Sequence, residues 1–192
     1  MFDVLFATLA LTLLAPVFLL LAAWVKAASP GPVFFTQERI GENGQAFRIF
    51  KFRSMVQDAE SLKKNLHKHS HRDGPLFKVK NDPRITNVGK FLRRFSLDEL
   101  PQLANILLGQ MSLTGPRPHL REEIAKFSPQ EKRILQVKPG LSGLAQISGR
   151  SDLPFAKEIE LDLAFIRDWH FALDLKIIFK SIQVVLRGAG AD

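Results

Sequence analysis

The chain has 192 residues, a formal net charge of +8, a pI near 10.0 and no cysteine. That length suits one domain with a substantial core, and the absence of cysteine excludes disulfides, thiolate catalysis and Cys-ligated zinc. The basic balance points to an anionic partner, whether nucleic acid, anionic lipid or a phosphorylated small molecule; nucleic acid is set aside because no aromatic RNA-binding motif, zinc finger or basic heptad region is present.

From Val4 to Val25 the chain carries no charge. These residues span about 33 Å as a helix, enough to cross a hydrocarbon core. A cleavable signal is disfavoured, because the preceding residues include Asp3 and no basic residue and the apolar run is too long. Pro16 cannot donate to the Thr12 carbonyl, which predicts a kink. From Lys26 onward the chain holds all 27 of its lysines and arginines against 18 carboxylates, which keeps this part on the cytoplasmic side. Hydropathy alone allows both a plain span, the simpler reading, and a re-entrant helix turning at Pro16.

Beyond this segment, "PVFFTQERIGENGQAFRIFKFRSM" predicts two strands, about 33–40 and 45–52, with Asn43-Gly44 supplying the positive φ of a tight hairpin. "QDAESLKKNLHKH" predicts a polar helix, followed by the loop "HKHSHRDG". There His67, His69 and His71 alternate and would share a face only on a strand, so a solvated loop is favoured over a metal site. "NDPRITNVG" predicts a turn and an extended segment punctuated by Gly89. Near the C-terminus, about 171–187 reads as a helix with a narrow polar stripe of Lys176, Lys180, Gln183 and Arg187. It is either a core helix with that stripe exposed or a helix lying in a bilayer interface, as Trp169 and the lysines suggest.

The chemistry gathers around "FSLDELPQLANILLGQMSLTGPRPHL". Ser96-x-x-Glu99 matches a capping box, but with Ser96 as N-cap Pro101 would fall inside the helix and clash. With Asp98 as N-cap, Pro101 is harmless, Glu99 is released from capping, and Asp98 sits at an anion-binding helix N-terminus. Neighbouring side chains diverge by about 100° on a helix, so the two acids have separate tasks rather than a shared proton. Arg84, Lys90, Arg93 and Arg94 precede them, and Arg117 follows, stiffened by Pro116 and Pro118 for phosphate contact. Ordinary salt bridges and a surface loop would also account for these residues.

Five blocks, "PVFFTQERIG", "FKFRSM", "DGPLFKVKNDPRITNVGKFLRRFSLDELPQLANILLGQMSLTGPRP", "VKPGLSGLAQISGR" and "LDLKIIFKSIQVVLRG", resemble in order and spacing the bacterial sugar transferases, the monotopic phosphoglycosyl transferases. The resemblance covers nearly the whole chain. It implies an α+β, mostly helical fold: a re-entrant membrane helix over 1–28, a short β-hairpin, and a cytoplasmic catalytic domain over 29–192 with interfacial amphipathic helices. It implies transfer of a sugar 1-phosphate from a UDP-sugar to undecaprenyl phosphate with release of UMP, at the cytoplasmic face of the bacterial inner membrane, in exopolysaccharide or lipopolysaccharide assembly. By position, Asp98 resembles the family's nucleophile and Glu99 its partner in holding Mg²⁺. Arg93 and Arg117 resemble phosphate contacts, Lys51 a lysine supporting the acid pair, and Arg150 a substrate contact. A homo-oligomer is allowed for. The chain departs from the pattern at Ala15, where the family usually has serine before the proline, leaving Thr12 as the nearby hydroxyl. It also starts almost at the membrane helix although its blocks resemble larger members, as a minimal member or a catalytic part would. A lipid-binding scaffold and a metal-dependent phosphohydrolase are the rival readings.

Overall fold

The computed structural model describes residues 2–66, 70, 72–149 and 152–188, a mixed helix and sheet fold in which helix predominates. Helix α1 (Phe2–Ala28) runs through Pro16 without interruption. The Thr12 hydroxyl donates to the Thr8 carbonyl at 2.9 Å, so it does not replace the bond that Pro16 withholds from the Thr12 carbonyl. One face of α1 is part of the protein core. Ala7, with Ala10 and Leu11 beside it, packs on Phe47, Ile49, Leu103 and Ile106, and Leu21 and Val25 pack on Phe52, Val88 and Leu92. Both ends are fastened to the same folded body: Ser112 donates to the Asp3 carboxylate at 2.7 Å, and the Arg53 guanidinium donates to the carbonyls of Ser29 at 2.7 Å and Pro30 at 2.8 Å. The opposite face, including Leu13, Leu19 and Leu20, is exposed.

The predicted hairpin is present as β1 (Phe34–Ile40) and β2 (Ala46–Phe52), antiparallel, with Phe35 opposite Lys51 and Ile40 opposite Ala46. A single 3₁₀ turn joins them, with Asn43 at φ 54° and Gly44 at φ 77°, the conformation the Asn-Gly pair was expected to supply. Strand periodicity puts Lys51 on the face of Phe47 and Ile49, toward the helices that carry the acid pair.

The remaining elements are α2 (Ala59–Leu66), α3 (Asn87–Arg94), α4 (Gln102–Leu107), β3 (Ser112–Thr114), α5 (Arg121–Ile124), β4 (Gly140–Ser142), α6 (Leu144–Ser148), α7 (Phe155–Arg167) and α8 (Phe171–Arg187). Strands β3 and β4 form a short parallel pair. Helix α2 starts two residues later than predicted, at Ala59, and the predicted end of the polar helix, with His67, His69 and His71, lies outside the described residues. Gly89 does not punctuate a loop. It lies inside α3, whose N-cap Thr86 accepts from the Gly89 amide at 2.9 Å, and a Cβ there would come within 1.9 Å of the Ser54 carbonyl oxygen. Close backbone approach, rather than turn geometry, calls for glycine here.

Helix α8 has the predicted extent but does not fit the picture of a core helix with only its polar stripe exposed. Ile177 is buried and Ile178 packs on the core, whereas Leu175, Phe179, Ile182 and Leu186 are exposed at spacings of four, three and four residues. Beside Lys176, Lys180 and Arg187 they make a second, outward apolar strip.

Candidate active site

Asp98 is reached through an abrupt change of direction. Helix α3 ends at Arg94, Ser96 follows in the left-handed region at φ 51°, and the chain passes at once into a 3₁₀ turn, Leu97–Glu99, and on to α4. Neither predicted cap register is therefore found. Ser96 makes no side-chain cap, and Asp98 is the middle of the 3₁₀ turn rather than the N-cap of a helix. Helix α4 begins only after Pro101, whose missing N–H falls at its first turn. Leu97 and Leu100 pack against the cluster of Leu21, Val25, Phe52 and Leu92, pinning the turn from both sides of the acid pair.

Asp98 is 6% exposed, lines a cavity of about 580 Å³ and faces Lys51, Glu99 and Arg93. Burial raises its carboxyl above the ordinary carboxylate range and the Glu99 charge adds to this, while Lys51, Arg93 and its own main-chain amide act in the opposite direction. Glu99 is paired with Lys51, Nζ to Oε1 at 2.5 Å, across the contact between β2 and the acidic turn. Lys51 acts on both acids, as the ion-pair partner of Glu99 and as a nearby positive charge for Asp98. Burial lowers the Arg93 pKa against the opposing charges of Asp98 and Asp82, and its Nε donates to the Ser54 hydroxyl at 3.0 Å.

Arg117 keeps accessible surface and lines the same cavity. Desolvation works against its charge, but Glu158, Glu99, Glu123 and Asp162 together hold its pKa above the usual arginine value. Its segment is held by the Gly140 amide, which donates to the Pro116 carbonyl at 2.8 Å, and by Arg39, which donates to the Pro118 carbonyl at 3.3 Å. The structure thus brings Lys51, Arg93, Asp98, Glu99 and Arg117 to one cavity. Lys90 and Arg94 are exposed on α3, and Arg84 is committed to a bidentate pair with Asp82 at 2.6–3.1 Å. Arg150 lies outside the described residues.

Sequence reasoning missed Arg72, Glu123, Glu158 and Asp162. The last two carried a signal: Glu158, Ile159, Asp162 and Phe165 share the buried face of α7, so acids stand where the helical period asks for apolar residues. Among the described residues no group of three or more His, Cys, Asp or Glu could hold a metal. The adjacent carboxylates of Asp98 and Glu99 nevertheless fit Mg²⁺, which takes one or two carboxylates plus substrate phosphates, and Asp98 is a buried acid that a nearby cation would favour in its ionised form. The lining of the cavity also includes the apolar side chains of Phe6 of α1, Leu113, Leu141 and, on α8, Ile178, Ile182 and Leu186.

Residues 1–188 match the family of bacterial sugar transferases. The chain belongs to that family. It is 49% identical over 162 residues to the galactosyl transferase CpsE of Streptococcus agalactiae, covering 84% of this chain and 36% of that protein. To the exopolysaccharide production protein ExoY of Sinorhizobium fredii it is 41% identical over 194 residues, covering 99% of this chain and 86% of that protein. To the UDP-glucose:undecaprenyl-phosphate glucose-1-phosphate transferase of Klebsiella pneumoniae it is 43% identical over 192 residues, 94% of this chain and 38% of that protein. The chain therefore spans little more than a third of two of these relatives and most of the third.

Proposed function

We propose that this protein transfers a sugar 1-phosphate from a UDP-sugar to undecaprenyl phosphate, releasing UMP, and so opens the assembly of an exopolysaccharide or related glycan. The observation that carries the reading is Asp98: a buried carboxyl facing Lys51, Glu99 and Arg93, in a cavity that also has apolar lining from α1 and α8. An anionic lipid acceptor calls for both charged and apolar lining.

In the first step an Asp98 oxygen attacks the phosphorus that bears the sugar. A phosphorus–oxygen bond forms to the carboxylate, the bond to the uridine-bearing phosphate breaks, and UMP departs with the electron pair. In the second step a phosphate oxygen of undecaprenyl phosphate attacks the same phosphorus and the bond to Asp98 breaks, restoring the carboxylate. Both steps drive anions together. Arg93 and Arg117 offset that repulsion with charge-assisted contacts to the phosphates, and Lys51 holds Glu99 in place. Asp98 and Glu99 would hold Mg²⁺, which supplies positive charge beside the diphosphate.

The same structure supports a membrane seat. A helix tied to one body at Asp3 and again beyond Val25 supports a re-entrant placement, with both ends on the cytoplasmic face and the exposed side of α1 in the lipid. The outward strip of α8 supports an interfacial position for that helix.

The test is intact mass of the detergent-purified protein with Mg²⁺ and a panel of UDP-sugars, lipid acceptor omitted, beside Asp98→Asn. A gain of one sugar phosphate in the wild type, lost in the variant, is expected, and its mass identifies the sugar class. Undiminished UMP release by Asp98→Asn would overturn the covalent role. Neither adduct nor UMP with any UDP-sugar would favour a scaffold, and free sugar phosphate formed without acceptor a hydrolase.

A further inference from the structure

Two buried acids of α7 take no part in these steps. Glu158 opens onto the cavity and pairs with Arg72. Asp162, one turn further, is fully buried, and neither of its carboxyl oxygens completes a hydrogen bond. A buried polar group without a partner is destabilising, so its surroundings should explain it.

What Asp162 faces is Arg117. Pro116 and Pro118 have no N–H, so across residues 116–118 the Arg117 amide is the one main-chain donor. The carbonyls on either side are engaged, by the Gly140 amide and by Arg39, and the flanks are tied down by bonds from the Gly115 amide to the Ser142 carbonyl at 2.8 Å and from the Ile40 amide to the His119 carbonyl at 2.9 Å. Among the described residues no main-chain carbonyl accepts from the Arg117 amide. The Asp162 carboxyl comes up to it without reaching full hydrogen-bond geometry. Burial, with Glu158 one turn away, raises the Asp162 carboxyl well above the ordinary range, while Arg117 acts in the opposite direction.

We propose that Asp162 is the positioning residue for Arg117: its carboxyl is the acceptor for the single amide of the Pro-Arg-Pro segment and so sets the direction in which the guanidinium enters the cavity. The contact tightens when a diphosphate draws on the guanidinium, as active-site hydrogen bonds do on substrate binding. The inference rests on Arg117 being a phosphate contact for the UDP-sugar.

The test measures kcat and KM for UMP formation, with thermal unfolding of each protein, for Arg117→Ala, Asp162→Ala, Asp162→Asn and the double variant Arg117→Ala/Asp162→Ala. Asp162→Ala is expected to lower kcat/KM about 10- to 100-fold, mostly through KM, the scale of an unsatisfied buried donor. Asp162→Asn, which keeps an uncharged acceptor oxygen, should recover most of that loss. The double variant should be no worse than Arg117→Ala, since the effect passes through that residue. Additive losses, or Asp162→Asn as damaging as Asp162→Ala at equal stability, would overturn the positioning role. Where Asp162→Ala does not fold, Asp162→Leu takes its place and is read the same way. Arg117→Ala with unchanged kinetics would instead refute the phosphate role of Arg117, a failure distinguishable because it appears without any change at Asp162.

Discussion

Asn105 is fully buried in α4 and joins the acid-bearing segment to the hairpin. Its Oδ1 accepts from the Phe50 amide at 3.0 Å, and its Nδ2 donates to the Arg48 carbonyl and to Gln110 Oε1, both at 2.7 Å. Asn105→Leu keeps the approximate volume but leaves the Phe50 N–H and the Arg48 C=O without these partners. At about 1–3 kcal/mol for each orphaned buried group, less about 1 kcal/mol recovered by the apolar side chain, the expected net destabilisation is about 1–5 kcal/mol. That is a large share of the roughly 5–15 kcal/mol of a typical fold. Denaturant unfolding in detergent micelles, followed by the fluorescence of Trp24 and Trp169, measures it. Phe50 adjoins Lys51, so a hairpin released from α4 also loosens the 2.5 Å contact between Lys51 and Glu99. Turnover should therefore fall by more than the unfolded fraction explains. A variant within about 0.5 kcal/mol of wild type, the range of an ordinary surface change, and with full activity would refute the claim that Asn105 sets this geometry.

Gly89→Ala places a Cβ 1.9 Å from the Ser54 carbonyl oxygen, and Ser54 holds Arg93; a loss of about 1–3 kcal/mol is expected, with a raised KM for the UDP-sugar, and unchanged values of both would show that α3 and Ser54 can separate freely. The raised carboxyl of Asp98 means that folding favours its protonated form, a contribution present below the ordinary carboxylate pKa and lost as pH rises through the raised one. In Mg²⁺-free buffer Asp98→Asn should therefore be more stable than wild type at neutral pH, the gain shrinking on acidification; equal stability at every pH counts against burial as the dominant influence on this group. Single cysteines at Phe2 and Ser29 should be labelled by an impermeant reagent from the same side of the membrane, whereas labelling from opposite sides would restore a plain span.

Much of this arrangement was legible before the structure. The hairpin was written in alternating residues and an Asn-Gly turn, and α8 in its helical spacing, because both signals are local. The convergence of Lys51, Arg93, Asp98, Glu99 and Arg117 was legible only through resemblance, since Lys51 and Glu99 stand 48 positions apart and no short-range pattern joins them. The cap registers failed for a related reason. Helical capping assumes that the helix begins at the acids, whereas Leu97 and Leu100 are drawn into the core shared with α1 and compress that stretch into a 3₁₀ turn. Gly89 was misread because a glycine required by close packing looks the same in one dimension as one required by a turn. Asp162 was overlooked because an isolated acid on a helix is usually solvated, and only its place in the period of Ile159 and Phe165 marks it as buried.

The composition of α1 suits a membrane anchor, and its packing makes it part of the core as well. Its inner face completes two clusters of the core, one holding Phe47 and Ile49, four and two residues before Lys51, and the other holding Leu97 and Leu100, which bracket Asp98 and Glu99. The lysine and the acids it supports are thus seated on successive stretches of the same helix. On the proposed reading, that makes the depth of α1 in the lipid and the geometry of the acid pair one variable rather than two. A displacement of α1 that would be harmless to a simple tether must then also move Leu97 and Leu100, and with them the carboxylate that attacks. Arg53 and Asp3, at opposite ends of the helix, hold that variable fixed.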